Sequence, residues 1–330
     1  MNEQYGHAIG RVRSKERKLL DRAKIDRMAE ARNTEEALKV LGETEYAHSL
    51  ASFASVHDFD KVLDQELCRT YQEIRQLTPK LVSLFACKFD YHNLKVLFKS
   101  YHLGEKRGDL LVHGVGNIPV EDLARAVNED NYSSLPLHMR RAARRVTEVF
   151  RLESDPQKAD MLLEKAMYAQ MAELVATLPS ALLKNYFTSL VDLLNIKTFL
   201  RVKRANRAKE FLELALLPGG SLDITAVVQL MEPLEVLIDR LMHTPYARAV
   251  EEGVHSYQKT DTLTRFEKLA DDFLLKVAKR AKYLMSGPEP VAGYLLAKEN
   301  ELKLLRIIMV GKINRLPTEE IKERLRDAYV

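Results

Sequence analysis

The chain of 330 residues has no tryptophan, only two cysteines, and no uncharged apolar run near the roughly 18 residues that a membrane-spanning helix needs. Cys68 and Cys87 lie on apolar segments and form no C-x-x-C, a pattern that predicts buried thiols in a reducing compartment rather than a disulfide or zinc scaffold. The opening MNEQYGHAIGRVRSKERKLL lacks the apolar centre of a signal peptide. A protein of this kind working at a membrane is expected to dock onto something already there. The phosphate-binding G-x-x-x-x-G-K-[ST] loop is missing, and Gly114-Val115-Gly116 has neither a third glycine nor a preceding strand pattern. The nine histidines show no H-x-x-x-H spacing, and there is no G-x-S-x-G elbow. No catalytic, cofactor-binding or metal-ligating residue is predicted. The carboxylates Glu299 and Glu301 stand two residues apart, so on a helix they diverge by about 200° and do not converge on one substrate.

Charge of one sign is also lacking. Lys and Arg number 51 against 47 Asp and Glu, for a net charge of +4. A dedicated nucleic-acid protein is usually more strongly basic, so nucleic acid is not an expected partner.

What the chain does have is helical periodicity, repeated. Hydrophobic residues make up 46% and charged residues 30%, as in a globular protein rich in surface charge. Sustained period-two alternation is absent, and the fold class is all-α. Asn93-Leu94-Lys95, Asn195-Ile196-Lys197 and Glu301-Leu302-Lys303 recur at intervals of 102 and 106 residues, each inside an apolar helical face. Around the first, Leu94, Leu97, Phe98 and Tyr101 fall at i, i+3, i+4 and i+7. Phe59-Asp60-Lys61-Val62-Leu63-Asp64 matches Phe266-Glu267-Lys268-Leu269-Ala270-Asp271 at nearly the same offset as the first and third triplets. A period near one third of the chain predicts three related helical units, 1–110, 111–217 and 218–330. Three such units set around a pseudo-threefold axis would leave a central cavity.

In chain order, residues 5–31 read as one helix. Asn33 reads as an N-cap with Glu36 completing a capping box, and Gly42 as the end of that helix. Helices are predicted at 58–77, from Thr78-Pro79 to Tyr101, at 121–128 and 137–152, from Pro156, and from Leu178-Pro179. Further helices follow at 223–231, 234–242, 245–252 and 262–285, from Gly287-Pro288, and after Leu316-Pro317. The breaks fall at 104–120, with four glycines and a proline, and at Pro218-Gly219-Gly220.

Two basic runs are the candidate docking residues. Arg140, Arg141, Arg144 and Arg145 form one stripe of a helix, and Arg201, Lys203, Arg204 and Arg207 follow the second triplet. One reading is a solvated face laced to nearby acids. The other is a docking surface for an acidic protein or anionic headgroups. A helical-repeat scaffold that binds RNA or anionic membrane through these runs is the alternative function, although no aromatics interleave the charges as base stacking requires.

The segments YGHAIGRVRSKERKLLD at 5–21, NTEEALKVLGETEY at 33–46, Phe89-Asp90-Tyr91-His92-Asn93-Leu94-Lys95, and above all GYLLAKENELKLLRIIMVGKINRLPTEEIKERLR at 293–326, resemble the C-subunit family of V-type and A-type rotary ATPases (ATP synthases), whose eukaryotic equivalent is the d subunit. The resemblance spans nearly the whole chain. It implies an all-helical funnel of three related domains, a non-catalytic rotor component without cofactor, peripheral on the cytoplasmic face of the membrane. Its implied partners are the membrane proteolipid ring, on which one end sits, and the central-shaft subunits, whose foot the socket holds. Rotation driven by ion flow would then reach the stalk through this adaptor, with ATP made or consumed elsewhere.

Overall fold

The computed structural model describes residues 5–50, 58–104, 107–223 and 234–330. Within them the chain is all-α: only helices, short 3-10 turns and connecting loops occur. By contact the chain divides into two compact units. One comprises Met1–Leu77, Ser180–Leu182 and Glu232–Val330, and the other Thr78–Pro179 with Leu183–Met231.

The first unit opens with α1 (Gly6–Glu16), α2 (Arg22–Glu30), α3 (Thr34–Gly42), the single turn α4 (Ala47–Leu50) and α5 (Phe59–Leu77). The expected continuous helix over 5–31 is two helices. Leu19 and Leu20 turn inward and are buried, and Asp21 restarts the helix by accepting the N–H of Lys24 at 2.8 Å. Tertiary burial outweighs the helical propensity of this charged stretch. The cap at α3 forms as the spacing predicts: Asn33 Oδ1 accepts the Glu36 N–H at 2.9 Å. Glu36 reaches back one residue further than in a standard capping box, to the N–H of Arg32 at 2.7 Å. Gly42 is the last helical residue of α3.

The second unit carries α6 (Pro79–Leu103), α7 (Val120–Asn128), α8 (Leu137–Leu152), α9 (Pro156–Ala176), α10 (Ala181–Arg204, whose first two residues belong with the first unit) and α11 (Lys209–Ala215). Here α8 packs along α9, and α6 against α7 and α9. Phe98 of α6 lies 6.0 Å from Tyr132 and 6.5 Å from Phe150, ring centre to ring centre, and is buried among them. Tyr101, expected on the same apolar face, is instead 54% exposed, because it lies in the last turn of α6 where cover runs out.

The first unit resumes with α12 (Leu234–Leu241), α13 (Ala247–Thr260), α14 (Thr264–Lys279), a 3-10 turn at Arg280–Tyr283, α15 (Glu289–Ile313) and α16 (Thr318–Arg324). The helix expected at 245–252 runs on to Thr260, and the one expected at 262–285 gives way to 3-10 geometry at Arg280. The helix expected at 223–231 lies, but for its first position, outside the described residues.

Helix α15 is the axis of the first unit. Helices α1, α2, α3, α5, α14 and α16 all pack on it, so it is buried on nearly every side, from Pro290 and Val291 to Gly311 and Lys312. That is why its sequence shows little amphipathic contrast: a helix surrounded by others keeps only a narrow solvent edge, here at Lys303, Arg306 and Val310. Its core joins Ile25, Met28, Leu41 and Phe59 from the start of the chain to Leu305, Ile308 and Ile321 from its end. At about 25 cal/mol per Å² of apolar surface removed from water, contacts of this kind supply most of the stabilisation.

Local geometry recurs along the chain. Helices α3 and α7 have the same length, and each is followed by a buried tyrosine, Tyr46 and Tyr132; Tyr246 follows α12 in the same way. At two of the three the turn is bonded identically. Thr44 Oγ1 donates to Leu41 O at 2.6 Å and accepts from Tyr46 N at 3.3 Å, and Thr244 does the same with Leu241 at 2.7 Å and Tyr246 at 3.3 Å.

Candidate docking surface and helix clamps

The triplet positions turn out to be clamps between a helix and a distant backbone. In the second unit, Asn93 donates Nδ2–H to Val112 O and accepts from Val112 N, both at 2.8 Å. Asn195 makes the same two-way bond with Leu217, at 2.9 and 2.8 Å. An amide satisfies one backbone donor and one acceptor at once, which a buried loop needs. One helical turn earlier, Asp90 Oδ1 accepts the N–H groups of Asn117 and Ile118 at 2.7 and 3.0 Å. Asp192 Oδ1 accepts those of Ser221 and Leu222 at 2.7 and 3.0 Å. The backbone comes so close that a Cβ on Gly116 would sit 2.3 Å from Asp90 Oδ1, and one on Gly220 2.2 Å from Asp192 Oδ1. Glycine is required at both places by space.

Sequence reasoning missed the two aspartates. The signal was there: Asp-x-x-Asn occurs at both positions, Asp90 to Asn93 and Asp192 to Asn195, with a glycine beyond each break.

The third triplet is built differently. Glu301 Oε1 accepts from Tyr46 Oη at 2.7 Å and from Lys298 Nζ at 2.8 Å, and Oε2 accepts from the backbone N–H of Leu20. Lys298 also lies 3.5 Å from Glu66 and 4.2 Å from the centre of the Tyr46 ring. Glu66 is held in turn by Arg69 at 2.7 Å and by Ser49 at 3.3 Å. Lys298, Glu301 and Glu66 are all buried, a charged cluster that survives because each member is paired. Burial, with the charge of Glu301 beside it, raises the Tyr46 phenol well above its ordinary range, so it stays a donor. Glu299 points elsewhere and accepts from Tyr71, so the two glutamates do diverge.

The lysines of the triplets serve as ties. Lys95 meets Glu164 at 3.3 Å and Lys303 meets Asp271 at 2.5 Å. Lys197 also has a partner.

Both basic runs belong to the second unit. On α8 the buried face is Met139, Ala142, Ala143, Val146 and Phe150, which leaves Arg141, Arg144 and Arg145 on the exposed side. None of these three makes an ion pair among the described residues. Their neighbours do: His138 meets Glu173 at 3.0 Å, and Arg151 meets Asp130 at 3.4 Å. Arg140 is half-buried and donates to Ser133 O at 3.3 Å. Lys165 is held below the usual lysine range by burial and then by Arg145. The exposed face is therefore rich in arginine, with Glu148 the one acid on the same stripe of α8. The other run is different. Arg201, Lys203 and Arg204 each have a partner, and they close α10 where cations suit the helix dipole. Arg207 lies 5.7 Å from the centre of the Phe211 ring.

Among the described residues, no group of three His, Cys, Asp or Glu is placed to hold a metal ion, and no helix is long and apolar enough to cross a membrane.

An all-helical chain tied by helix-to-loop clamps is the class of protein that these features define. The family model described as ATP synthase (C/AC39) subunit matches residues 8–324, and the chain belongs to that family. It is 28% identical to the C subunit of the A-type ATP synthase of Methanocaldococcus jannaschii over 97% of this chain and 86% of the relative. It is 25% identical to the C subunit of the V-type sodium ATPase of Enterococcus hirae over 96% of this chain and 97% of the relative.

Proposed function

We propose that the chain is a non-catalytic central-stalk component of a V/A-type rotary ATPase, linking the membrane proteolipid ring to the central shaft so that ion movement is coupled to ATP synthesis or hydrolysis. The observation that carries this reading is the likeness, end to end, to the C subunits of both an A-type and a V-type enzyme. The structure supplies a physical rationale. A torque-transmitting piece must be stiff, and packed helices whose loops are bonded back to them at Asp90, Asn93, Asp192 and Asn195 resist deformation. The repeated turns at Tyr46 and Tyr246 and the repeated clamps support the reading of three related helical units, 1–110, 111–217 and 218–330. The peripheral, cytoplasmic placement of the protein follows from the same reading.

Arg141, Arg144 and Arg145, with Arg140 beside them, are the proposed protein-docking stripe, and an acidic partner suits them. The second run, Arg201, Lys203, Arg204 and Arg207, is the weaker candidate because three of its four members are already engaged. The test is to isolate the tagged chain from native membranes and identify what accompanies it. Shaft and ring subunits are expected, and the purified chain is expected to turn over no ATP. Isolation without any ATPase subunit, or appreciable ATP turnover by the chain alone, refutes the reading. If the stripe instead binds RNA or lipid, charge reversal of Arg141, Arg144 and Arg145 will abolish a steeply salt-dependent polyanion affinity and leave co-purification intact.

A further inference from the structure

The 3-10 turn and the loop that leads into α15 carry an apolar tip. Tyr283 is 84% exposed and Met285 91%, with Leu284 between them. Contiguous exposed apolar side chains mark an interaction site rather than ordinary surface. The tip is also braced. Arg13 of α1 donates Nη2–H groups to Ala281 O at 2.9 Å and Leu284 O at 2.7 Å, and the Leu284 N–H donates to Ala281 O at 3.2 Å. The side chains are thus presented outward by a backbone that is itself tied down.

Cations surround this tip. Lys279 and Arg280 stand on the same turn and make no ion pair among the described residues. Beside it, Arg13, Arg17 and Lys282, with Ser14, Glu16 and Val330, line an open basin of about 560 Å³. The Glu16 carboxylate is already engaged, by Arg13 at 2.6 Å and by Tyr329 Oη at 3.2 Å. Arg17 is exposed and makes no ion pair among the described residues. Lys282 donates to the Tyr329 carbonyl and lies 4.6 Å from that ring. Burial, and after it the charge of Lys279, holds its ammonium below the usual lysine range.

We propose that the tip and basin together dock onto an anionic phospholipid surface. Tyr283 and Met285 enter the interfacial layer, while Arg17, Lys279 and Arg280 meet headgroup phosphates. Charge complementarity selects an anionic occupant. Shape selects a bilayer over a protein: two nearly bare side chains on a braced turn need a matching socket in a protein, whereas an interface yields around them. Tyrosine is a residue that such interfaces favour. This lipid contact goes beyond the coupling role, which names protein partners only.

The experiment is flotation of the purified full-length chain with vesicles of phosphatidylcholine alone and of phosphatidylcholine containing phosphatidylserine. The parent is expected to float with the anionic vesicles and not with the neutral ones. The double variants Tyr283→Ser/Met285→Ser and Lys279→Glu/Arg280→Glu are each expected to lower the partition coefficient about tenfold or more. All four residues lie on the turn surface or at its edge, and an unchanged circular-dichroism melt verifies that the variants fold. Failure of the parent to float, or variants that float as well as the parent, overturns the proposal. So does a result in which the tip variants keep vesicle binding but lose co-purification with ATPase subunits, which makes the tip a protein contact. The coupling role is judged by co-purification of the parent alone, so the two readings fail separately.

Discussion

Glu301, in the middle of α15, accepts the backbone N–H of Leu20, a residue 281 positions earlier in the chain. The same carboxylate holds Tyr46 and Lys298, so one side chain ties the first helices to the last long one. Asn93 and Asn195 bond to backbone only 19 and 22 residues downstream. The third triplet bonds to the N-terminal segment instead. A carboxylate suits the place because both of its oxygens have donors and a buried ammonium stands beside it.

Glu301→Leu leaves Lys298 facing Glu66 alone and strips Tyr46 Oη and the Leu20 N–H of their acceptor. The expected loss is about 3–5 kcal/mol, the range for breaking one side of a buried ionic cluster. Glu301→Gln keeps an acceptor and is expected to cost about 1–3 kcal/mol. Urea unfolding measures both, and equal losses would contradict the ionic role.

Gly116→Ala and Gly220→Ala each force a methyl group into an aspartate oxygen that is already bonded to two backbone N–H groups. About 1–3 kcal/mol of destabilisation is expected from the overpacking. Gly10, inside α1 with open space around it, is the control. Its change to alanine is expected to stabilise by up to about 1 kcal/mol through helix propensity. Thermal melts in which all three variants behave alike would refute the clamp.

Burial pushes the Cys87 thiol up to about 12, with the Asp90 carboxylate adding to it. Cys68 is only half-buried, and burial raises it as well. Thiolate is the reactive form, so at about pH 8 a disulfide reagent should label Cys68 first and Cys87 only after denaturation. Equal labelling rates in the folded protein would show that Cys87 is accessible.

Asp272 is held above the usual carboxylate range by burial, against the opposing bond from the Asp327 N–H at 2.7 Å. A raised folded value means that the folded state binds this proton more tightly than the unfolded chain does. Its contribution to stability is therefore most favourable below the unfolded value and declines as pH rises through the folded one. Asp272→Asn keeps an oxygen for Asp327 and carries no charge. It is expected to gain stability over the parent at about pH 7 and to lose that advantage near about pH 3. An advantage that grows on acidification would reverse the sign.

Much of the helical layout was legible in the residues. Asn33 and Pro156 mark starts, the four glycines between 104 and 116 mark a break, and Pro218-Gly219-Gly220 another. The triplets at 93, 195 and 301 were visible as a repeat, but their task was not, because a two-way amide bond has no local signature. The arginine stripe was visible too. Whether acids answered it depended on side chains from other helices, and His138 and Arg151 proved paired where Arg141, Arg144 and Arg145 did not. The break at Leu19 and Leu20 was hidden in a run that reads as continuous helix, since the burial that bends it comes from α15.

Local chemistry alone decided that this chain is helical, where most of its helices begin and end, and that three of its long helices share a mark. Caps, prolines and apolar spacing act within a few residues, so they can be read without knowing the neighbours. Tertiary structure decided that Glu301 holds Leu20, that Gly116 and Gly220 have no room for a methyl group, and that Tyr283 and Met285 face outward. Those outcomes depend on distances between segments far apart in sequence, and only the folded packing sets them.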